Sequence, residues 1–156
     1  MTNVKCSMEL SGLSSKNFAM PWSSSVQAVV NFCGPTQFTG KAYIKPALLM
    51  AGGTYEEKTD VYKQMSPLDN VNPKAPPFLF VNGEKDTTVP LFHAELMAEA
   101  LKKVKVPVEV IVVKNAGHGY VFNGSKDAPA DPSPAEVDAA VLKFLDANLK
   151  KNGKRR

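Results

Sequence analysis

The sequence predicts an α/β fold in which parallel strands alternate with helices. Three short apolar runs, rich in β-branched or aromatic residues and followed by turn-forming residues, are typical of buried strands. They are Val26–Cys33, Phe78–Asn82 and Val106–Val113. The segments that follow the second and third runs have apolar residues at three- and four-residue spacing, as in helices that pack one face on a core. This alternation favours βαβ units, and therefore three parallel strands flanked by helices.

The core of each predicted strand is an apolar run and not a clean alternation between apolar and polar residues. Such runs are expected in a sheet that is covered on both faces. The first run is ended by the Gly34-Pro35 pair, the second leaves through Gly83, and the third leads into a loop that contains Gly117-His118-Gly119. These breakers define where each strand stops.

Two long helices and two short ones are predicted around the strands. Pro90–Lys103 has an apolar stripe, and Ser133–Leu149 combines a stripe with the residues expected at a helix start. Ser133 suits the N-cap, Pro134 the first helical position, and Glu136 completes a capping box. The shorter helices are expected at Pro46–Ala51 and Glu56–Gln64.

The chain of 156 residues, of which 44% are hydrophobic, is long enough for one domain with a real core. We expect that domain to span residues 26–149. Residues 1–25 are polar and Ser-rich, which predicts an irregular N-terminal segment. Residues 150–156 form a basic tail.

The charge distribution argues against a nucleic-acid partner. The formal net charge is +4, but five basic residues lie in the last seven positions. Without them the chain has 14 basic and 15 acidic residues, so its body lacks the basic stripe typical of nucleic-acid binders. Binding of anionic polymers through the tail is therefore a disfavoured alternative. No apolar run approaches the ~18 residues of a membrane span, so no membrane partner is expected.

Cysteine and histidine spacing predicts neither a metal site nor a cofactor. Cys6 and Cys33 do not form a CxxC pair, and the chain has two histidines. Cys33 ends an apolar run and is interpreted as a small core residue, with a disulfide left open. The N-terminus has no apolar signal segment. This favours the cytoplasm if the chain is full length, while secretion stays open for a longer relative.

Asp86 and His118 are the candidate catalytic residues. Asp86 follows the second predicted strand, and His118 follows the third, 32 residues later. Sites in parallel sheets gather beyond the carboxyl ends of the strands, so the two side chains meet if these strands pair. A carboxylate beside an imidazole fixes its tautomer and stabilises the imidazolium, as a general base requires. The alternatives are a turn or cap role for Asp86 and a surface-loop role for His118.

Several stretches together resemble the C-terminal half of an α/β-hydrolase of the esterase/lipase type, close to carbohydrate- and feruloyl-esterase-like members. The similarity covers Val26 to Leu149, about four fifths of the chain. The joint pattern is an apolar strand, the stretch from Gly83 to Asp86, Val89-Pro90, a helix, a strand and Gly117-His118-Gly119. The resemblance implies that the three strands are the sixth, seventh and eighth of the family sheet. It also implies that Asp86 is the triad acid and His118 the base.

The family's nucleophile motif, G-x-S-x-G, does not occur in this sequence. The nearest approach is Gly12-Leu13-Ser14-Ser15-Lys16, which has Lys in place of the last Gly and no apolar strand before it. Ser14 is thus a disfavoured nucleophile, and we expect a truncated hydrolase whose ester hydrolysis is weak. The strand Val26–Cys33 would then have an open edge, which predicts a possible homodimer through that edge.

Three further residues are candidates for substrate binding. Tyr120 and Phe122 follow His118 and could shape an apolar pocket for a small-molecule ester, although core packing is the default interpretation. His93 begins a helix near the site; we expect it to be partly exposed in the first helical turn, with pocket lining as the alternative. The leading hypothesis is an esterase-type serine hydrolase chain. The rival is a non-catalytic ligand-binding or interaction module.

Overall fold

The structure is a computed structural model that describes residues 25–39, 45–119 and 124–149. Three strands are present in these residues: β1 (Val29–Phe32), β2 (Phe78–Gly83) and β3 (Val108–Val113). The helices are α1 (Lys45–Ala51), α2 (Thr59–Met65), α3 (Phe92–Lys103) and α4 (Pro134–Leu149), with a 3-10 helix at Pro67–Asn70. No helix in the described ranges is long and apolar enough to cross a membrane.

The strands form one parallel sheet in the order β1-β2-β3, so the predicted α/β architecture is confirmed. Val29 is in register with Phe78, and Phe78 with Val108. Since all three strands run in the same direction, the loops that follow them meet at one edge of the sheet. The residues after β2 and β3 are those that carry Asp86 and His118.

Alternate residues of β2 face two separate apolar clusters. Leu79 and Val81 pack with Val137 and Phe144 of α4 on one face. Phe80 packs with residues of α3 on the other. The central strand is therefore buried on both sides, which explains its unbroken apolar sequence.

A third, smaller cluster lies around α1 and α2. Its buried members are Phe38, Ala47 and Tyr62. The Tyr62 hydroxyl donates to the carbonyl of Gly53 at 3.0 Å, and the Ser66 hydroxyl accepts from the Phe38 amide at 2.8 Å. These bonds tie the segment after β1 to the segment before β2.

The predicted strands β1 and β3 are too long at their starts. Val26 is 61% exposed, and parallel pairing begins at Val29, whose amide donates to the carbonyl of Pro77 at 2.9 Å. At the start of β3 the amide of Val106 is instead bonded to the Leu101 carbonyl at 3.0 Å, which holds it to the end of α3. The first residues of the two predicted strands therefore belong to the connecting segments and not to the sheet.

The helix predictions are confirmed for α1, α3 and α4, with boundary shifts of one or two residues. The helix expected at Glu56–Gln64 begins later, at Thr59. Before it, the Thr54 amide donates to the Glu57 carboxylate at 2.9 Å and the Lys58 amide to the Thr54 carbonyl at 3.0 Å. A separate turn therefore replaces the expected first helical turn.

Candidate functional site

Asp86 is held in the loop after β2 by backbone amides. Its side chain is fully buried, and one carboxylate oxygen, Oδ1, accepts hydrogen bonds from the amides of Thr88 at 2.9 Å and Val89 at 2.8 Å. Burial acts to raise the pKa of Asp86, but the hydrogen bonds from Val89, His118 and Thr88 outweigh it and lower the pKa below its ordinary value. Asp86 is thus an ionised carboxylate in a fixed orientation.

The other oxygen of that carboxylate, Oδ2, lies 2.8 Å from Nδ1 of His118. The imidazole side chain is 41% exposed. Because the carboxylate is ionised, Nδ1–H donates this hydrogen bond and Nε2 has a free lone pair. Among the described residues, Asp86 is the hydrogen-bond partner of His118. The arrangement can accept a proton at Nε2 and stabilise the resulting imidazolium.

The His118 loop is placed by backbone contacts with the end of β2. The amide of Glu84 donates to the Val113 carbonyl, and that of Lys85 to the Ala116 carbonyl, both at 2.9 Å. A Cβ on Gly83 would lie 2.3 Å from the carbonyl oxygen of Gly117. Only glycine permits this close approach without a backbone shift, so Gly83 allows the loop to bring His118 onto Asp86.

Cys33 is a site neighbour that the sequence analysis did not recognise. Its thiol is free and buried in the α4-side cluster, as expected of a small core residue. However, Sγ also lies within a group of donor atoms that includes a carboxylate oxygen of Asp86 and a ring nitrogen of His118, all within 4.8 Å of one another. Burial raises the pKa of the thiol, and the Asp86 charge acts in the same direction. The thiol is therefore protonated and is a poor nucleophile.

The position of Cys33 at the carboxyl end of β1 is the sequence feature that could have identified it as a neighbour of the site. Strand ends of a parallel sheet meet at one edge, and Cys33 directly follows β1 just as Asp86 and His118 follow their strands. Its backbone has a φ of 50°, in the left-handed region, and its amide donates to the Val81 carbonyl at 3.0 Å. This turn holds the thiol beside the pair.

His93 is more deeply buried than its sequence position suggests. It lies in the first turn of α3, but it is 1% exposed, so the expected partial exposure is wrong. Its ring stacks on Phe92 at a centroid distance of 4.5 Å, and Nδ1 accepts from the Thr36 amide at 3.4 Å. Burial lowers the pKa of His93, although the charge of Asp86 opposes this. A buried imidazole of this kind packs against its neighbours, and its role in substrate binding stays a prediction.

The other two candidate pocket residues, Tyr120 and Phe122, lie outside the described residues, as do Ser14 and Ser15. The role of Tyr120 and Phe122 in substrate binding stays a prediction.

Comparison with known proteins agrees with this fold. The chain is 31% identical over 78 residues to esterase LipC of Mycobacterium tuberculosis, covering 49% of this chain and 19% of the relative. It is 40% identical over 58 residues to the uncharacterized peptidase YtmA of Bacillus subtilis, covering 37% of this chain and 23% of that protein. These two matches thus cover less than a quarter of either relative.

A similar solved structure is a truncated form of a carbohydrate esterase from gut microbiota. It superposes with a TM-score of 0.55 at 25% identity and covers 62% of this chain and 36% of that one. The resemblance to esterase-type hydrolases is therefore confirmed in both sequence and structure.

The sequence model of the prolyl oligopeptidase family matches residues 24–152, which include all three strands and both members of the Asp86–His118 pair. This chain belongs to the prolyl oligopeptidase family and has an esterase-type α/β-hydrolase architecture.

Proposed function

We propose that this chain supplies the acid and the base of a serine-hydrolase site that cleaves carboxylic esters. The observation that carries the proposal is the 2.8 Å contact between Asp86 Oδ2 and His118 Nδ1, at the ends of two paired parallel strands. Asp86 orients the His118 imidazole and stabilises the imidazolium, and His118 accepts and donates the proton. The resemblance to esterase-type relatives supports an ester as substrate.

In the proposed reaction, Nε2 of His118 accepts the proton of a nucleophilic hydroxyl as that oxygen attacks the ester carbonyl. The imidazolium then donates this proton to the departing alcohol oxygen, and a second cycle with water releases the acid. Asp86 stays ionised throughout, since backbone amides and His118 stabilise its charge. The exposure of the imidazole permits access to Nε2.

The hydroxyl that His118 would activate lies outside the described residues in this proposal. The sequence has no G-x-S-x-G motif, and Ser14 and Ser15 in the undescribed N-terminal part are the first candidates within the chain. We propose that residues 26–149 form the acid- and base-bearing part of a larger hydrolase fold. The incomplete coverage of the relatives supports this interpretation.

The proposal is tested by hydrolysis of p-nitrophenyl butyrate by the purified chain and by its His118→Ala and Asp86→Asn variants. Loss of the base is expected to lower the rate by about 10²- to 10⁴-fold. Ser133→Ala, which removes a hydroxyl that is bonded to Glu136 and not to the pair, is the matched control and should keep the wild-type rate. Equal rates in the wild type and His118→Ala would contradict a catalytic role for this pair. A dipeptide p-nitroanilide tested in parallel separates ester from peptide cleavage.

A second candidate is a non-catalytic interaction module that pairs through the edge of the sheet. Within the described residues β1 pairs with β2 on one side, and all four of its residues are only half-buried. A homodimer through the Val26–Cys33 strand would cover that edge. Sedimentation at increasing concentration tests it. The amides of Val29 and Cys33 bond to the β2 side, so the Val30 amide points to the open edge. Val30→Pro, which removes this amide, should abolish association, whereas association that survives the change would exclude the edge as the interface.

A further inference from the structure

Three donor atoms of different chemistry lie close together in the residues that follow β1, β2 and β3. Sγ of Cys33, a carboxylate oxygen of Asp86 and a ring nitrogen of His118 lie within 4.8 Å of one another. Cys33 is 3% exposed, the Asp86 side chain is fully buried, and the imidazole is 41% exposed. Two of the three ligands are buried and the imidazole is accessible, so a small cation would reach them from the histidine side.

We propose that this chain binds a soft divalent cation, Zn²⁺ in particular, through Cys33, Asp86 and His118, and that the cation blocks the base. Thiolate, imidazole and carboxylate are all ligands that Zn²⁺ accepts in tetrahedral sites. Three protein ligands leave the fourth position for water on the exposed side. The inhibitory part rests on the proposed hydrolase function, but the binding does not.

The required rearrangement is small. With metal–ligand distances of about 2.0–2.3 Å, the donor atoms of a tetrahedral zinc site lie about 3.2–3.7 Å apart. The donor atoms lie at most 4.8 Å apart, so the longest separation has to shorten by up to about 1.1–1.6 Å. The 2.8 Å between Asp86 Oδ2 and His118 Nδ1 widens by a few tenths of an ångström when the cation replaces the shared hydrogen.

Charge balance favours the complex, and because the thiol must release its proton, binding strengthens as the pH rises. The Cys33 thiol loses its proton to solvent and binds as a thiolate. The proton on Nδ1 of His118 leaves this nitrogen while Nε2 gains one, so the imidazole stays neutral and coordinates through Nδ1. One thiolate and one carboxylate then neutralise the dication, which limits the cost of placing charges in a buried site.

This proton shift is the reason why the bound cation would block His118 as a base. In the metal-free pair Nε2 has a free lone pair that can accept a proton, whereas in the metal-bound form Nε2 already carries a hydrogen. The cation thereby removes both the acceptor atom and the orienting hydrogen bond from Asp86. A chelator in excess over the protein would restore the base by removing the cation.

Cd²⁺ is a suitable probe, because its bond to a thiolate gives an ultraviolet charge-transfer band. Titration of the chelator-treated chain with CdCl₂ is expected to produce this band with one equivalent bound and to compete with ZnCl₂. Cys33→Ser should abolish the band, and Asp86→Asn and His118→Ala should each weaken binding by at least about 10-fold. Circular dichroism of each variant controls for folding.

The chain offers a matched control in its other cysteine. Cys6→Ser should leave the band and the affinity unchanged. A band that persists in Cys33→Ser, disappears in Cys6→Ser, or is absent from the wild type would overturn the site. Because the band needs no turnover, an inactive chain that binds Cd²⁺ through Cys33 separates failure of the proposed function from failure of this inference. Should Cys33→Ser fail to fold, undiminished binding in both Asp86→Asn and His118→Ala would still overturn it.

Discussion

The two histidines of this chain lie at the same end of the sheet but in opposite environments. His118 is 41% exposed and is hydrogen-bonded to the ionised carboxylate of Asp86. His93 is 1% exposed, stacks on Phe92 and has a buried Nε2 with no hydrogen-bond partner among the described residues. The difference shows that access and a charged partner, not residue type, make an imidazole suitable for proton transfer.

Gly83→Ala should have the largest effect on stability, because it disrupts the close contact between the end of β2 and the loop that carries His118. The added Cβ would lie 2.3 Å from the Gly117 carbonyl oxygen and force the His118 loop away from β2. We expect a loss of about 3 kcal/mol or more in the free energy of unfolding, measured in urea.

Gly117→Ala is the matched control for that substitution. A Cβ at Gly117 would meet only the Lys85 carbonyl oxygen, at 3.9 Å, which is ordinary contact. Its effect should stay within about 1 kcal/mol. Similar losses in both variants would contradict the specific close approach at Gly83.

Truncating the buried histidine should lower the free energy of unfolding more than truncating the exposed one. His93→Ala removes a buried ring and is expected to cost about 2–4 kcal/mol, the range of large-to-small core substitutions. His118→Ala removes a partly exposed ring and should cost about 1 kcal/mol or less. Urea unfolding of both variants checks this order, and a larger loss for His118→Ala would reverse the comparison.

The pH dependence of stability should identify His93. Because burial lowers its pKa below the ordinary ~6.5, the unfolded chain binds the proton first, and stability falls as the pH drops from above 6.5 toward the folded-state value. Asp86, the charged group that faces His93, has a lowered pKa as well. Its contribution is present above the unfolded value of ~3.9 and is lost only below it.

The difference between the wild type and His93→Gln, each unfolded at pH 7.5 and 5.5, isolates the His93 contribution, whose slope is limited to about 1.4 kcal/mol per pH unit. His93→Gln, which cannot titrate in this range, should lose that part of the pH dependence. An unchanged pH profile in His93→Gln would show that His93 titrates alike in folded and unfolded chains.

The smallest effect is expected at the start of α4, where Ser133 bonds to Glu136 and to neither histidine. The Ser133 hydroxyl accepts from the Glu136 amide at 3.4 Å, and the Ser133 amide donates to the Glu136 carboxylate at 2.8 Å. Ser133→Ala should cost about 1 kcal/mol. The Cd²⁺ affinity should not change; a loss of affinity would mean that α4 and the site are coupled.

The sequence was sufficient to predict the sheet and the meeting of Asp86 with His118. Apolar strand runs, glycine breakers and one βαβ spacing determine which loops lie at the same edge of a parallel sheet. The capping box at Ser133 was equally predictable, since Ser133 and Glu136 interact locally.

The burial of His93 and the position of Cys33 were not predictable in the same way. His93 is covered by Thr36, which is 57 residues away in the chain and also donates from its hydroxyl to the His93 carbonyl at 2.6 Å. The Cys33 thiol reaches the pair because of a left-handed turn after β1. Both depend on how distant segments pack, and periodicity along one segment does not report such contacts.

The most direct test of the account is the tautomer of His118, measured by ¹⁵N NMR of the imidazole in the metal-free chain at neutral pH. We expect the neutral form of the ring to carry its hydrogen on Nδ1, held by Asp86, and to have a free Nε2. Asp86→Ala should shift the population toward the Nε2–H form. A wild-type ring with its hydrogen on Nε2, or a tautomer that does not respond to loss of Asp86, would contradict the proposed acid–base pair.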